Sequence, residues 1–165
     1  MGEPEPVVHP FDPVFDGNSR VLVLGTIASP ASRASGFYYG HAYNRFWPLM
    51  AELFGEPVPS LKDVDAKKTL LLRNGVALWD VVHACDIKGA ADDSIENAVA
   101  HDMSELFAAC PGLRVYANGQ TAAKLYRKLV YPAIGVPITA LPSTSPANAG
   151  WNMARLVEAW RVVTT

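Results

Sequence analysis

The chain has 165 residues, half of them hydrophobic and 18% charged, with a net charge of −2. Those figures describe one globular domain large enough to bury a core, and they exclude a disordered segment. They also argue against a protein that grips nucleic acid over a broad basic face, while leaving room for a local contact made by a few side chains and helix N-termini.

The N-terminal MGEPEPVVHP is acidic and proline-rich, without the basic start and apolar stretch of a secretory signal. No apolar run approaches the roughly 20 residues of a membrane span, so a cytoplasmic, non-membrane protein is expected. Next comes VLVLG (21–25), a short apolar run that reads as a buried parallel strand, followed by a polar loop from Thr26. FWPLMAELFG has helical periodicity and ends in a glycine suited to a C-cap. SLKDVDAKKTLLLRNG begins at Ser60, carries Asp63 three residues on and stops at Gly75, the boundary signals of another helix. VALWDVV (76–82) reads as a second buried strand, DMSELFAACPG as a helix and LRVYAN (113–118) as a third strand. GQTAAKLYRKLV is a helix, VPITALPS (136–143) a fourth strand, and the chain ends in an amphipathic helix near WNMARLVEAWRVV.

Alternating strands and helices predict a parallel sheet with helices on both faces, and a ligand site at the carboxyl ends of the strands. The segments there are GTIAS, DVVHACDIKGAADDS, NGQTA and LPSTSPANAGW. The two cysteines, Cys85 and Cys110, are too few for a disulfide framework or a four-thiolate cluster, and the four histidines show no metal-ligand spacing. No cofactor is expected. There is no G-x-S-x-G elbow and no activated cysteine, which argues against covalent hydrolysis.

Between the first strand and first long helix lies YYGHAYNRFW (38–47), five aromatic rings around Gly40, His41, Asn44 and Arg45. Phe46 and Trp47 start the apolar face of the helix. Asn44 is either its N-cap or, because Pro48 prefers the first helical position, a residue just outside it with its amide free. Tyr38 and Tyr39 offer rings for stacking, and Gly40 a place where a ligand could approach the backbone. In LPSTSPAN (141–148), Pro142 and Pro146 bracket Ser143, Thr144 and Ser145, giving a stiff loop with hydroxyls and free N–H groups before a helix. It is either an ordinary turn with Asn148 as cap or a loop that grips phosphate. Asp80 ends an apolar run, where a charge either accepts backbone bonds or meets a polar ligand edge.

Taken together, GTIAS, YYGHAYNRFW, LWDV and LPSTSPAN resemble the uracil-DNA glycosylase superfamily. The likeness is greatest to its hypoxanthine (deoxyinosine) DNA glycosylase branch, related to mismatch-specific uracil glycosylases. That branch carries Gly-Ser-Phe-Pro-Ser, Tyr-Tyr-Gly-x-x-x-Asn-x-Phe-Trp, Leu-Trp-Asp-Val and Leu-Pro-Ser-Thr-Ser-Pro-Ala-Asn in the same order. The resemblance implies a three-layer α/β/α sandwich with a central four-stranded parallel sheet, residues 20–165 forming the domain and 1–19 an extension packed on or near it. It implies a monofunctional, metal-free N-glycosylase of base-excision repair, acting as a monomer on DNA with a deaminated base, hypoxanthine or uracil. Asn44 would position the attacking water. Thr26, Ile27, Tyr38, Tyr39, Asp80 and Asn118 would surround the flipped base, with Tyr38 or Tyr39 stacked on it. His41 and Arg45 would add local positive charge, and Pro142, Ser143, Thr144, Ser145, Pro146 and Asn148 would grip the flanking phosphates or wedge into the duplex. Ile27 and Ala28 stand where the branch has Phe and Pro, a change expected to weaken stacking or widen substrate choice. The rival expectations are a silent lesion-binding protein, a uracil/thymine mismatch glycosylase with little hypoxanthine activity, and a hydrolase of free nucleosides or nucleotides.

Overall fold

A computed structural model describes residues 3–89 and 91–165. Four parallel strands form the central sheet: β2 (Val21–Gly25), β3 (Val76–Asp80), β6 (Arg114–Asn118) and β7 (Ile138–Leu141), in the order β3-β2-β6-β7. Because side chains alternate across a strand, β2 sends Val21 and Val23 to one face and Leu22 and Leu24 to the other, all fully buried. The first face packs against α2 (Phe46–Phe54), α3 (Val64–Arg73) and α7 (Met153–Trp160). The second packs against α4 (Ser104–Ala109) and α5 (Gln120–Leu129). That is a three-layer α/β/α arrangement. The short α1 (Pro30–Ser35) and α6 (Tyr131–Ile134) fill connections.

The second face carries one more element. β1 (Glu5–Val8), β4 (Val82–Ile87) and β5 (Glu96–Ala100) form an antiparallel sheet in the order β1-β4-β5. The run 76–82, expected as one strand, is therefore two. Val81 N–H and Val82 N–H donate to Gly25 and Thr26 carbonyls, and the chain then leaves the parallel sheet for the antiparallel one. Val81 and Val82 are completely buried, so the apolar run continues through the change of partner. The N-terminal segment is woven in: β1 pairs with β4, and Val14 exchanges both backbone hydrogen bonds with Leu78 (2.9 Å each), covering the open edge of β3.

Helix boundaries shift from the sequence expectations at two places. The cap of α3 is Asp63, which accepts from Ala66 N–H, and not Ser60. The cap of α7 is Asn152, accepting from Arg155 N–H, and not Asn148. α2 begins at Phe46, so Pro48 is its third residue, where its missing N–H would have had no intrahelical partner. Among the described residues no helix is long and apolar enough to cross a membrane.

Candidate active site

The register of the central sheet sets Gly25 opposite Asp80 and Asn118 opposite Leu141. These are the last residues of the four strands, and the chain segments that follow enclose a cleft of about 730 Å3. Its lining includes Thr26, Ile27, Tyr38, Tyr39, His41, Asn44, Asp80 and Asn118, together with the loop from Ser143 to Asn148. Segments more than 100 residues apart in sequence thus meet at one carboxyl edge, as the topology requires.

One wall is a closed hydrogen-bond chain. Thr144 N–H donates to Asn118 Oδ1 (3.0 Å), and Asn118 Nδ2 donates to Thr144 Oγ1 (3.0 Å). The Thr144 hydroxyl then donates to Asn44 Oδ1 (2.8 Å), which also accepts from Phe46 N–H (2.9 Å). Every donor in the chain has one acceptor, so the orientation of both amides is fixed. Asn44 lies just outside α2, one residue before its N-cap Arg45, and its amide is half free: Oδ1 accepts from Phe46 N–H and the Thr144 hydroxyl, while Nδ2 is without a partner among the described residues.

Thr144 is completely buried, which makes it the link between two loops and removes it from contact with a phosphate. Arg45 is likewise turned inward. Its guanidinium donates to the carbonyls of Ser145 (2.8 Å), Asn148 (3.1 Å), Thr144 (3.4 Å) and Trp151, so it holds the loop's shape where free positive charge was expected. Three more of the loop's N–H groups are occupied. Those of Ser145 and Ala147 donate to the hydroxyls of Ser143 and Ser145, and that of Asn148 to the Ser145 carbonyl. The Asn148 side chain donates to the Ser143 carbonyl (3.0 Å). What the loop presents outward is the Pro146–Ala147 tip and two serine hydroxyl protons, a wedge instead of a backbone cradle.

The other wall is open. Tyr39 has φ of 53°, a left-handed conformation uncommon outside glycine, and its ring stacks on Phe46 with centroids 4.3 Å apart. The Tyr39 hydroxyl is buried without a hydrogen-bond partner, Asn118 lying beside it. Burial, then the nearby Asp80 charge, push its ionisation well above the ordinary phenol range. Asp80, 3% exposed, accepts from His9 at Oδ2 (2.7 Å), while Oδ1 has no partner among the described residues. An ionised carboxylate only accepts, so His9 Nε2 carries the proton. Behind Asp80, His101 donates from Nδ1 to its main-chain carbonyl (2.8 Å) and stacks on Trp79 (4.0 Å). Burial lowers the His101 pKa to about 4, so the ring is neutral at pH 7.

Tyr38 belongs to the core, contrary to its expected stacking role. It is 2% exposed, donates to the Asp12 carbonyl (2.8 Å) and packs edge-on against Phe37. Gly40 serves an internal approach: a Cβ there would strike the Ser35 hydroxyl of α1, and its N–H donates to Ser32 Oγ. His41 is exposed at the rim beside Tyr43, which is 77% exposed. Among the described residues no group of three or more His, Cys, Asp or Glu side chains is arranged to hold a metal ion. His9 is the site residue that sequence reasoning missed. It sits in a tail with no motif, and only the packing of β1 brings it to Asp80.

Fold and site together define a class: an α/β/α protein with a nucleotide-sized cleft at the carboxyl edge of its parallel sheet, walled by neutral amides on one side and a carboxylate and phenol on the other. The sequence comparisons agree. The family model of the Uracil DNA glycosylase superfamily matches residues 13–164, and the chain belongs to that superfamily. A hypoxanthine DNA glycosylase of Methanosarcina acetivorans is 35% identical over 156 residues, 93% of this chain and 95% of that protein. One of Methanosarcina barkeri is 32% identical over 139 residues, 84% of this chain and 86% of its own length. A solution NMR structure of a Methanosarcina acetivorans protein assigned to the uracil DNA glycosylases superposes with a TM-score of 0.75 at 30% identity, covering 95% of this chain and 98% of that one.

Proposed function

We propose that this DNA glycosylase excises hypoxanthine from DNA, with uracil as a second substrate, and that Asn44 holds the attacking water. The observation that carries the reading is the fixed orientation of the Asn44 amide on the cleft wall. With Oδ1 held by Phe46 N–H and the Thr144 hydroxyl, Nδ2 can donate to a water oxygen and leave one lone pair directed at the sugar. The names of the two Methanosarcina relatives support hypoxanthine as the substrate.

The chemistry asks little more. A flipped deoxyinosine breaks its C1′–N9 bond with the electron pair leaving on the base, which then takes up a proton. The oxocarbenium-like sugar accepts the water oxygen at C1′ and the water loses a proton. A weak nucleophile suffices once it is positioned and the charge is stabilised. Asp80 and Asp92 line the cleft and supply negative charge facing the sugar cation. The Pro146–Ala147 tip fills the gap left by the extruded nucleotide, and the Ser143 and Ser145 hydroxyls meet the flanking phosphates. Unstacking costs a few kcal/mol and least at a mispair, so part of the selection precedes the pocket.

The test is single-turnover cleavage of duplexes carrying hypoxanthine, uracil, xanthine or a thymine mismatch, by the native chain and by Asn44→Ala. Cleavage of the hypoxanthine duplex that Asn44→Ala abolishes or slows is expected. Undiminished cleavage by the variant removes Asn44 from the mechanism, and binding without cleavage of any duplex removes the enzyme reading.

A further inference from the structure

The cleft carries the wrong charge for DNA. Its lining holds three carboxylates, Asp80, Asp92 and Asp93, and among the described residues no lysine or arginine. The whole chain has a net charge of −2, so no long-range field offsets them. A duplex presents one negative charge per roughly 1.7 Å of its axis, and binding draws much of its strength from cations that displace counterions there. Arg45 has turned its guanidinium to loop carbonyls, and the Ser143 and Ser145 hydroxyls carry no charge.

One cation beside the wedge is built differently. The Arg155 guanidinium lies over the Trp151 ring, 4.1 Å from its centroid, and Nη1 donates to the Gly150 carbonyl (2.7 Å). Trp151 packs against the buried cluster that holds α2 and α7, its carbonyl accepts from Arg45, and its N–H donates to the Asn148 carbonyl (3.2 Å). Stacking and one bond therefore hold an exposed guanidinium in place. Its Nε and Nη2 have no partner, and no carboxylate lies within ion-pair distance, among the described residues. A Cβ built on Gly150 would meet nothing within 4 Å, so the space above that backbone is open.

We propose that Arg155, held flat on Trp151, grips a backbone phosphate of the DNA strand beside the Pro146–Ala147 wedge. This rests on the glycosylase reading of the cleft. A planar fork with Nε and Nη2 open matches the oxygens of a phosphate, and its orientation is set before the DNA arrives, so little side-chain freedom is lost on binding. Ala147 and Gly150 are three residues apart, a span of at most about 10 Å. Successive phosphates of one strand advance roughly 3.4 Å along the axis, which puts the contacted phosphate within about three nucleotides of the flipped one. Arg45 and Arg155 thus divide the work, one shaping the loop from inside and the other supplying charge outside. A phosphate carries no sequence, so the contact strengthens capture without selecting a base.

The experiment measures binding of a duplex carrying hypoxanthine on a 2′-fluorinated sugar, where the fluorine slows cleavage by opposing positive charge at C1′. Fluorescence anisotropy gives the affinity across a series of salt concentrations for the native chain, Arg155→Gln, Arg155→Lys and Arg161→Gln. The slope of log K against log salt counts phosphate contacts, and it does not change with the fraction of active protein. Arg155→Gln is expected to make the slope shallower by about 0.9 and to weaken binding about 10-fold at roughly 0.1 M salt. Arg155→Lys keeps the charge and loses the fork, so it is expected to keep the slope and bind with intermediate affinity. Arg161→Gln removes the same charge near the opposite edge of the sheet, where Thr165 meets Arg114 at the start of β6, and is expected to leave the slope unchanged. Neutral methylphosphonates, placed one at a time within about three nucleotides of the lesion, should weaken the native chain at a position where Arg155→Gln is indifferent. A native slope in Arg155→Gln overturns the proposal. So does the same slope change in Arg161→Gln, or a methylphosphonate series in which native chain and Arg155→Gln lose affinity alike. In those cases cleavage of unmodified hypoxanthine duplexes by the native chain keeps the glycosylase reading standing. A native chain that neither binds nor cleaves any duplex overturns that reading and this contact together.

Discussion

The two walls of the cleft use polar groups in opposite ways. On the Asn44–Thr144–Asn118 side the amides and the hydroxyl are joined in one chain of bonds, and the neighbouring loop carbonyls are tied to Arg45. On the Gly25–Tyr39–Asp80 side a phenol and a carboxylate oxygen stand unpaired. The difference separates two demands on one site. The proposed water-positioning role of Asn44 requires it to be held still, and its Oδ1 is held by two donors. The unpaired phenol of the other wall keeps its bonding capacity open, at a cost to the stability of the free protein.

The contrast predicts that polar deletions on the first wall cost stability and that deletions on the second do not. The largest effect belongs to Asn44→Ala: the single-turnover rate should fall roughly 100- to 1000-fold, the scale of losing one preorganised polar group. Next, Thr144→Val should lower unfolding stability in urea by about 1–3 kcal/mol, since it leaves Asn118 and Asn44 short of a buried partner. Thr144→Ser should keep the bonds and most of the stability. If Thr144→Val melts like the native chain, the first wall is not the rigid one.

A smaller effect comes with pH. His101 binds its proton near pH 4 when folded but near 6.5 when unfolded, so the unfolded chain holds more protons between those values. Its contribution is complete above pH 6.5 and is lost as pH falls towards 4. That amounts to about 1–2 kcal/mol after allowing for solvent screening. His101→Gln should flatten this part of a stability-against-pH curve. The smallest effect is Tyr39→Phe, whose stability should change by less than about 0.5 kcal/mol because the hydroxyl has no partner to lose. A loss of 2 kcal/mol there would erase the distinction between the walls.

Much of this was readable in the chain. Continuous apolar runs marked β2 and β3, because strands buried on both faces carry little polar alternation, while β6 and β7 were marked by shorter mixed runs bounded by turn residues. Residues at their carboxyl ends converge by topology, which brought Asp80, Asn118, Asn44 and the Pro142–Asn148 loop to one place. Three things were not readable. β5 is Glu96, Asn97, Ala98, Val99 and Ala100, poor strand formers apart from the valine, and it is a strand because β4 is beside it. The inward turn of Arg45 and Thr144 depends on which way a loop's carbonyls face, and composition does not encode that. His9 and Asp80 are 71 positions apart, a contact that no periodicity announces.

That last contact has a consequence for how the protein comes into being. β1 finds its partner in residues 84–87, so the growing chain carries Val7, Val8 and His9 unpaired until β4 has been made. Pairings of such span close slowly, because the intervening loop must be ordered first. A change that undocks β1, far from the cleft in sequence, would therefore reach Asp80 by removing its His9 partner from Oδ2.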